Sequence, residues 1–110
     1  MIEFSSDLEK VRNYETENDL VKILQKIDDT IVFRGYSTEQ VLCLVKEIIK
    51  IDLLAVKYDT REEILYLLCD AISYYKISNC VNWASIIDIK DKLEDDLKEY
   101  IEEIIENTVM

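Results

Sequence analysis

Residues 61–76 read REEILYLLCDAISYYK, and this stretch decides how the rest of the chain can fold. After its first turn the segment is apolar nearly all round, a pattern typical of a helix at the centre of a helical domain. Asp59 and Thr60 before it are each followed by Glu three positions on, so either residue is expected to cap this helix. We therefore predict that residues 61–76 form the core helix.

The composition of the whole chain favours helices around that centre. The chain has 110 residues, close to the commonest size of one domain, so residues 1–110 are predicted to be a single domain. It contains one glycine and no proline, the residues that sheets and tight hairpins use at their turns. The predicted fold is all-α: a small antiparallel helical bundle or a HEAT-like stack of α-hairpins, with four to five helices.

Two helical segments are predicted before the core helix. Residues 5–28 carry helix-start signals at Ser6 and Thr16, and the pattern leaves open whether they form one bent helix or two. Ser37 opens a further helix, with Gln40 at the reciprocal capping position.

The segment between those helices, residues 28–36, is the least regular part of the sequence. Residues 30–33 are β-formers, and Gly35 can adopt a positive φ. Because no partner strand is evident elsewhere, we predict an extended linker whose Ile31 and Phe33 enter the core.

A weak internal repeat links two of the helices. Residues 40–49 (QVLCLVKEII) and 63–72 (EILYLLCDAI) share one apolar pattern at an offset of 23 positions. Two amphipathic helices with the same role would produce it, and so would a stack of α-hairpins. The sequence leaves both interpretations open.

The most acidic segment follows the core helix. Residues 83–107 (WASIIDIKDKLEDDLKEYIEEIIEN) contain nine acids and three bases, and so contribute six of the chain's eleven net negative charges. The segment has no Gly or Pro and a helical apolar period, so it is predicted to form one long helix that packs on residues 61–76. Its acids either keep the protein soluble or attract a basic partner.

Composition also excludes several function classes. A net charge of −11 disfavours binding to nucleic acid or to an anionic membrane, because both depend on Lys and Arg. The lack of histidine argues against histidine-based catalysis and zinc sites, and the three cysteines are expected to be free, buried thiols in a cytoplasmic protein. The opening MIEFSSDLEK has neither a basic start nor a long apolar run, so no signal peptide is expected.

One short acidic motif bears on catalysis. Glu102, Glu103 and Glu106 form an EExxE pattern that resembles the first half of the magnesium site in all-α nucleotide pyrophosphatases. That family follows it with a second acidic motif, which these 110 residues do not supply. We therefore expect no enzyme activity, no metal and no cofactor.

Aromatic residues point to protein binding instead. Tyrosine occurs seven times, and tyrosine and tryptophan suit partly buried positions and interface hot spots. These tyrosines can be core residues, or some can anchor a partner while nearby acids steer it. The candidate partner-binding residues are Tyr66, Tyr74, Trp83, Asp95, Asp96, Glu99 and Glu103.

The overall pattern, carried mainly by residues 37–76, resembles the small α-helical bacterial immunity proteins, including those of contact-dependent growth inhibition systems. The resemblance implies a cytoplasmic protein that binds and neutralises a cognate toxin domain, often a nuclease. A nuclease must present a basic cleft to phosphates, and an acidic surface can occupy it. The alternative is a helical adaptor or regulatory subunit that binds another basic protein; the oligomeric state is left open.

Overall fold

The structure, a computed structural model, describes residues 4–108. The expectation that the opening residues are no signal peptide falls partly on Met1–Glu3, which lie outside the described residues. Within this range every regular element is helical, with no strand, which confirms the all-α prediction, although the six α-helices exceed the four to five expected. Two 3-10 turns, Ser78–Cys80 and Lys90–Lys92, precede the last helix. The α-helices are α1 (Phe4–Arg12), α2 (Glu17–Val32), α3 (Thr38–Ile48), α4 (Tyr58–Tyr74), α5 (Ala84–Ile87) and α6 (Asp95–Thr108).

The helices form two layers. Consecutive helices pair as hairpins, α1 with α2, α3 with α4 and α5 with α6, while α1 contacts α3 in one layer and α4 contacts both α2 and α6 in the other. The described part of the chain measures 39 × 34 × 19 Å, and its shortest dimension is close to two helix diameters of about 10 Å each. Of the two predicted architectures, these contacts match the stack of α-hairpins.

Helix α4 is the centre of the fold, as the apolar stretch at residues 61–76 predicts. It contacts three α-helices: α2 and α6 in its own layer and α3 in the other. Seven of its side chains are buried apolar residues: Ile64, Leu65, Leu67, Leu68, Cys69, Ala71 and Ile72. Because α4 is buried along most of its length, α2 and α6 are positioned by their contacts with it.

The prediction of an extended linker at residues 28–36 is wrong. Helix α2 continues to Val32, because Ile27 and Ile31 extend the buried stripe with helical spacing. Ile31 enters the core as predicted, but Phe33 follows the last helical residue and is 85% exposed. Core packing therefore overrides the β-preference of this short run.

In the turn after α2, the residue with a strained backbone is Arg34, which precedes Gly35. The N–H of Gly35 donates to Thr30 O (2.8 Å) and that of Arg34 to Ile31 O (2.9 Å), the two bonds of a Schellman motif. The residue with positive φ is Arg34, at 57°, and not Gly35 as expected. Glycine is required one position later, since a Cβ on Gly35 would lie 2.6 Å from Thr30 Cγ2.

The helix starts are only partly as predicted. The Thr16 hydroxyl accepts the Asp19 N–H, and Ser37 and Gln40 form the expected capping box. Helix α1 already includes Ser6, so that residue is not its cap. Residues 5–28 therefore form two helices, which settles the point that the sequence left open.

Helix α4 is capped from another helix. It begins at Tyr58, and neither Asp59 nor Thr60 caps it. The carboxylate of Glu17 at the start of α2 accepts both the Lys57 N–H (2.9 Å) and the Thr60 hydroxyl (2.7 Å). The predicted capping residues are wrong because the acceptor comes from 40 positions away in the sequence.

The prediction of one long helix over residues 83–107 is also wrong. The chain forms the short helix α5, a 3-10 turn and α6, with Leu93 in an extended conformation between them. Both Oε atoms of Glu94 lie 2.7 Å from Nη1 of Arg61, whose other nitrogens donate to Leu53 O and Val56 O. This break lets the chain reverse from one layer into the other, so that α6 packs along α4.

One of the three cysteines is buried as expected, and another is buried only in part. All three are free thiols; Cys69 is buried, Cys43 is half-buried and Cys80 is exposed. The prediction that all are buried is therefore wrong for Cys80, which lies in the surface 3-10 turn. Among the described residues, no helix is both long enough and apolar enough to cross a bilayer.

Candidate functional site: an acidic and aromatic face

Helices α2, α4 and α6 lie side by side and run in the same direction. At their beginnings Glu17 contacts Thr60, and the Tyr58 hydroxyl donates to Asp96. At their ends the Arg34 guanidinium lies over the Tyr74 ring, 6.0 Å from its centroid. Parallel packing brings acidic and aromatic side chains from distant parts of the sequence onto one surface.

We call this surface the acidic–aromatic face. Along α4 its residues recur at spacings of three and four, so they lie on one side of the helix. Carboxyl groups of α2 flank this row on one side, and α6 flanks it on the other. The face comprises Asp28, Asp29, Glu63, Tyr66, Asp70, Tyr74, Asp96, Tyr100 and Glu103.

The seam between α2 and α4 contains a pair of carboxyl groups. Asp28 is 8% exposed, and it is hydrogen-bonded to Asp70, which requires a proton on one of the two. Burial, followed by this hydrogen bond and the charges of Asp70, Glu63 and Asp29, raises the pKa of Asp28 to about 8. Asp28 therefore holds, at neutral pH, a proton that an ordinary aspartate would have released.

One oxygen of Asp28 distinguishes this residue from the other buried aspartate. Asp28 Oδ1 is buried and accepts no hydrogen bond from any residue in the described range. The other buried aspartate, Asp7, is fully satisfied: Oδ1 accepts from Lys26 Nζ and Oδ2 from the Tyr36 hydroxyl, both at 2.6 Å. Burying Asp28 beside other acids costs stability at neutral pH, so this arrangement is not explained by its contribution to the fold.

The charges of the Asp28–Asp70 pair also raise the pKa values of neighbouring residues. The pKa of Tyr66 is raised first by the charge of Asp70 and then by that of Asp28. Burial and the charges of Glu62, Asp29 and Asp70 raise the pKa of Glu63. Repulsion from neighbouring acids contributes to both shifts, so this part of the surface holds more negative charge than its neighbours balance.

Aromatic contacts join α6 to the same face. The rings of Tyr66 and Tyr100 meet edge to face, with their centroids 6.3 Å apart. The Cys69 thiol beneath them donates to Tyr100 O, and burial followed by the charge of Glu103 raises its pKa. Glu103 therefore lies close to the tyrosine pair, and the thiol is held in its neutral form.

The predicted partner-binding residues are divided among three places. Tyr66 and Tyr74 lie on the face and are 48% and 37% exposed, and Asp96 and Glu103 also belong to it. Asp95 and Glu99 are exposed on α6, where Asp95 pairs with Lys98 at 3.3 Å.

Trp83 does not belong to this surface. It is 4% exposed, and its indole N–H donates to Ser78 O at 2.9 Å. Its ring is therefore part of the core and offers no exposed area for an aromatic patch.

Sequence reasoning missed Asp28, Glu63 and Asp70. Glu63, Tyr66, Asp70 and Tyr74 share helical spacing, so a signal was present in α4. Asp28 carries no such signal, because residues 28–36 are predicted to be a linker. The pairing of Asp28 with Asp70 depends on the parallel contact of α2 with α4, which neither segment encodes alone.

Within residues 4–108, no group of three or more Cys, Asp or Glu side chains is arranged to hold a metal ion. The EExxE residues of α6 are exposed, and Glu102 lies 3.5 Å from Lys90. Comparison with known proteins adds no relative: no family model, no curated protein and no solved structure matches the chain.

Proposed function

We propose that this protein is an immunity protein that binds a cognate bacterial toxin domain, a basic nuclease, in the cytoplasm and neutralises it through the acidic–aromatic face. The observation that carries the proposal is the Asp28–Asp70 pair, where acids are held together without a compensating cation. A cationic partner surface would compensate the charges of Asp70, Glu63 and Asp29 and would favour the ionised form of Asp28, which is held neutral in the free protein.

The aromatic residues supply the second part of the proposed interface. Tyr66 and Tyr74 are exposed tyrosines on a rigid, centrally packed helix, a setting typical of residues that carry binding energy. Little ordering of α4 would be needed on association, since its opposite side is fixed in the core. The surrounding carboxylates would accelerate encounter with a basic protein, with on-rates of up to about 10⁸–10⁹ M⁻¹s⁻¹ at low salt.

Growth rescue tests the proposal. The toxin domain encoded directly upstream of this gene is expressed alone and with this protein, and we expect growth only in the second case. Tyr66→Ala combined with Asp70→Asn should abolish rescue and weaken the complex on size exclusion. The matched control, Tyr14→Ala with Asp19→Asn, changes the same residue types outside the face and should rescue normally.

Each failure has a distinct meaning. If the wild-type protein neither rescues growth nor forms a complex with that domain, the immunity proposal is wrong. If a complex forms through the face but the upstream domain is not toxic, the protein is instead the helical adaptor of a basic partner. If both variants rescue equally, the binding surface lies elsewhere.

A further inference from the structure

A broad groove lies at one end of the stack, beside the acidic–aromatic face. It encloses about 710 Å³ where the turn after α2 meets the ends of α4 and α6. This volume falls in the usual range of small-molecule sites, about 300–1,000 Å³. Its lining residues are Arg34, Thr38, Ile72, Ser73, Tyr74, Tyr75, Lys76, Ser78, Asn79 and Asn107.

The charge of this groove is opposite to that of the protein. The chain has 24 acids and 13 bases, yet none of the ten lining residues is acidic and two, Arg34 and Lys76, are basic. Within residues 4–108, no ion pair joins either cation to a carboxylate. In a protein with such an excess of acid, two unpaired cations on one groove indicate a site for an anion.

The backbone of Arg34 gives an independent indication. It occupies the left-handed region, φ 57°, at the position of a Schellman motif where glycine is the usual residue. This conformation is unfavourable for a residue with a side chain. This backbone conformation places the Arg34 guanidinium over the Tyr74 ring, at the wall of the groove. Strain kept at one residue is a recognised feature of functional sites.

We propose that this groove binds a small phosphorylated organic molecule of nucleotide size. Arg34 and Lys76 would contact the phosphate oxygens, since guanidinium and ammonium groups are the common protein ligands of phosphate. The first backbone N–H groups of α3, next to Thr38, would add donors of the same sign. The hydroxyls and amides of Ser73, Ser78, Asn79 and Asn107 would bind the polar organic part of the ligand.

Titration with ADP, followed by NMR chemical shifts and calorimetry, tests this site. We expect ADP to shift the signals of Arg34, Lys76 and Ser78. Inorganic phosphate should shift the two cations more weakly, and adenosine should leave them unchanged. Arg34→Gly and Lys76→Gln should each weaken ADP binding about tenfold or more, the effect of losing one charged hydrogen bond.

The choice of variants separates binding from folding. Glycine suits the backbone conformation at position 34, so Arg34→Gly should leave the Tm equal or higher while ADP affinity falls. Lys46→Gln removes the same charge as Lys76→Gln from the exposed side of α3 and should leave ADP affinity unchanged.

Three results would overturn the proposal: no shift with ADP at millimolar concentration, adenosine binding as tightly as ADP, or equal loss of affinity in the Lys46→Gln control. None of them depends on whether a toxin binds the acidic–aromatic face.

Discussion

Asp28 links the acidic–aromatic face to stability at the scale of a single residue. Its pKa is raised to about 8 by burial and by Asp70, so the folded state holds a proton that the unfolded chain releases near pH 4. The contribution of Asp28 to stability is therefore complete below about pH 4 and is lost as the pH rises toward 8. Asp28→Asn should match the wild type at pH 4 and exceed its Tm at pH 8, as measured by thermal melts.

The control is Asp19→Asn, an exposed acid on the same helix that does not contribute to the pKa of Asp28. It should leave the difference between the pH 4 and pH 8 melts close to that of the wild type. Groups with lowered pKa values act in the opposite direction; the Lys57 N–H lowers the pKa of Glu17, whose contribution is lost as the pH falls. The comparison with the wild type isolates Asp28 from them. An unchanged pH dependence in Asp28→Asn would show that Asp28 is ionised throughout.

Gly35 is required for space. A Cβ at this position would meet Thr30 Cγ2 at 2.6 Å, and the Thr30 hydroxyl bond to Lys26 O (2.9 Å) fixes that side chain. Gly35→Ala should lower the free energy of unfolding by about 1–3 kcal/mol, the usual cost of a forced contact. Thr30→Ser removes Cγ2 and keeps the hydroxyl, so the double variant should recover most of the loss in urea unfolding. No recovery would mean that the limiting contact is with the Thr30 backbone, whose carbonyl oxygen would lie 3.4 Å from the added Cβ.

At the scale of the elements, Arg61 connects three segments of the chain. Its side chain is 13% exposed and donates to Leu53 O, Val56 O and the Glu94 carboxylate. Arg61→Met keeps the apolar stem but removes every donor, leaving two carbonyl groups unpaired. We expect a loss of about 2 kcal/mol or more in urea unfolding.

Glu94→Gln tests which contacts of Arg61 matter. This substitution keeps the two carbonyl bonds and removes the ion pair, which is partly exposed. It should destabilise the protein much less than Arg61→Met. A loss of equal size would mean that the ion pair, and not the satisfied carbonyls, holds the start of α6.

Some features of these helices could be predicted from the sequence, and others could not. Periodicity is local, so it identified the buried helix α4, and capping signals identified the starts of α2 and α3. The end of α2 and the break before α6 depend on packing and on Arg61, 33 positions from Glu94. The acids at the start of α6, Asp95 and Asp96, did mark a helix start, because negative charge favours a first turn. An unbroken apolar period across residues 83–107 concealed that signal.

The same distinction applies to the candidate site. The exposure of Tyr66 and Tyr74 follows from their place on one helix, and both were predicted as partner contacts. Trp83 was included because large aromatics favour interfaces, but its indole N–H finds a core carbonyl group instead. Asp28 and Asp70 become a pair only because α2 and α4 are parallel neighbours, a fact of tertiary structure. That neighbour relation also decides which acids can act together on a partner.

At the scale of the whole molecule, the 19 Å thickness determines which charges a partner would experience. The Debye length is about 8 Å at physiological salt and about 30 Å at 0.01 M. Acids in the α1–α3 layer are therefore screened from a partner on the opposite layer at physiological salt, but not at low salt. The proposed interface should consequently depend on the placement of charge, and not on net charge alone.

Two variants with the same net charge test this consequence. Glu63→Gln, Asp70→Asn and Glu103→Gln neutralise three acids of the face, whereas Glu9→Gln, Glu15→Gln and Glu39→Gln neutralise three exposed acids of the other side. Stopped-flow association with the upstream-encoded toxin domain is measured from about 0.01 M to 0.15 M salt. At low salt both variants should associate more slowly than the wild type. At 0.15 M the second variant should match the wild type while the face variant remains slower by about tenfold, because only near charges still steer the encounter. If the two variants behave alike at every salt concentration, net charge alone steers the partner, and the acidic–aromatic face has no special part in its capture.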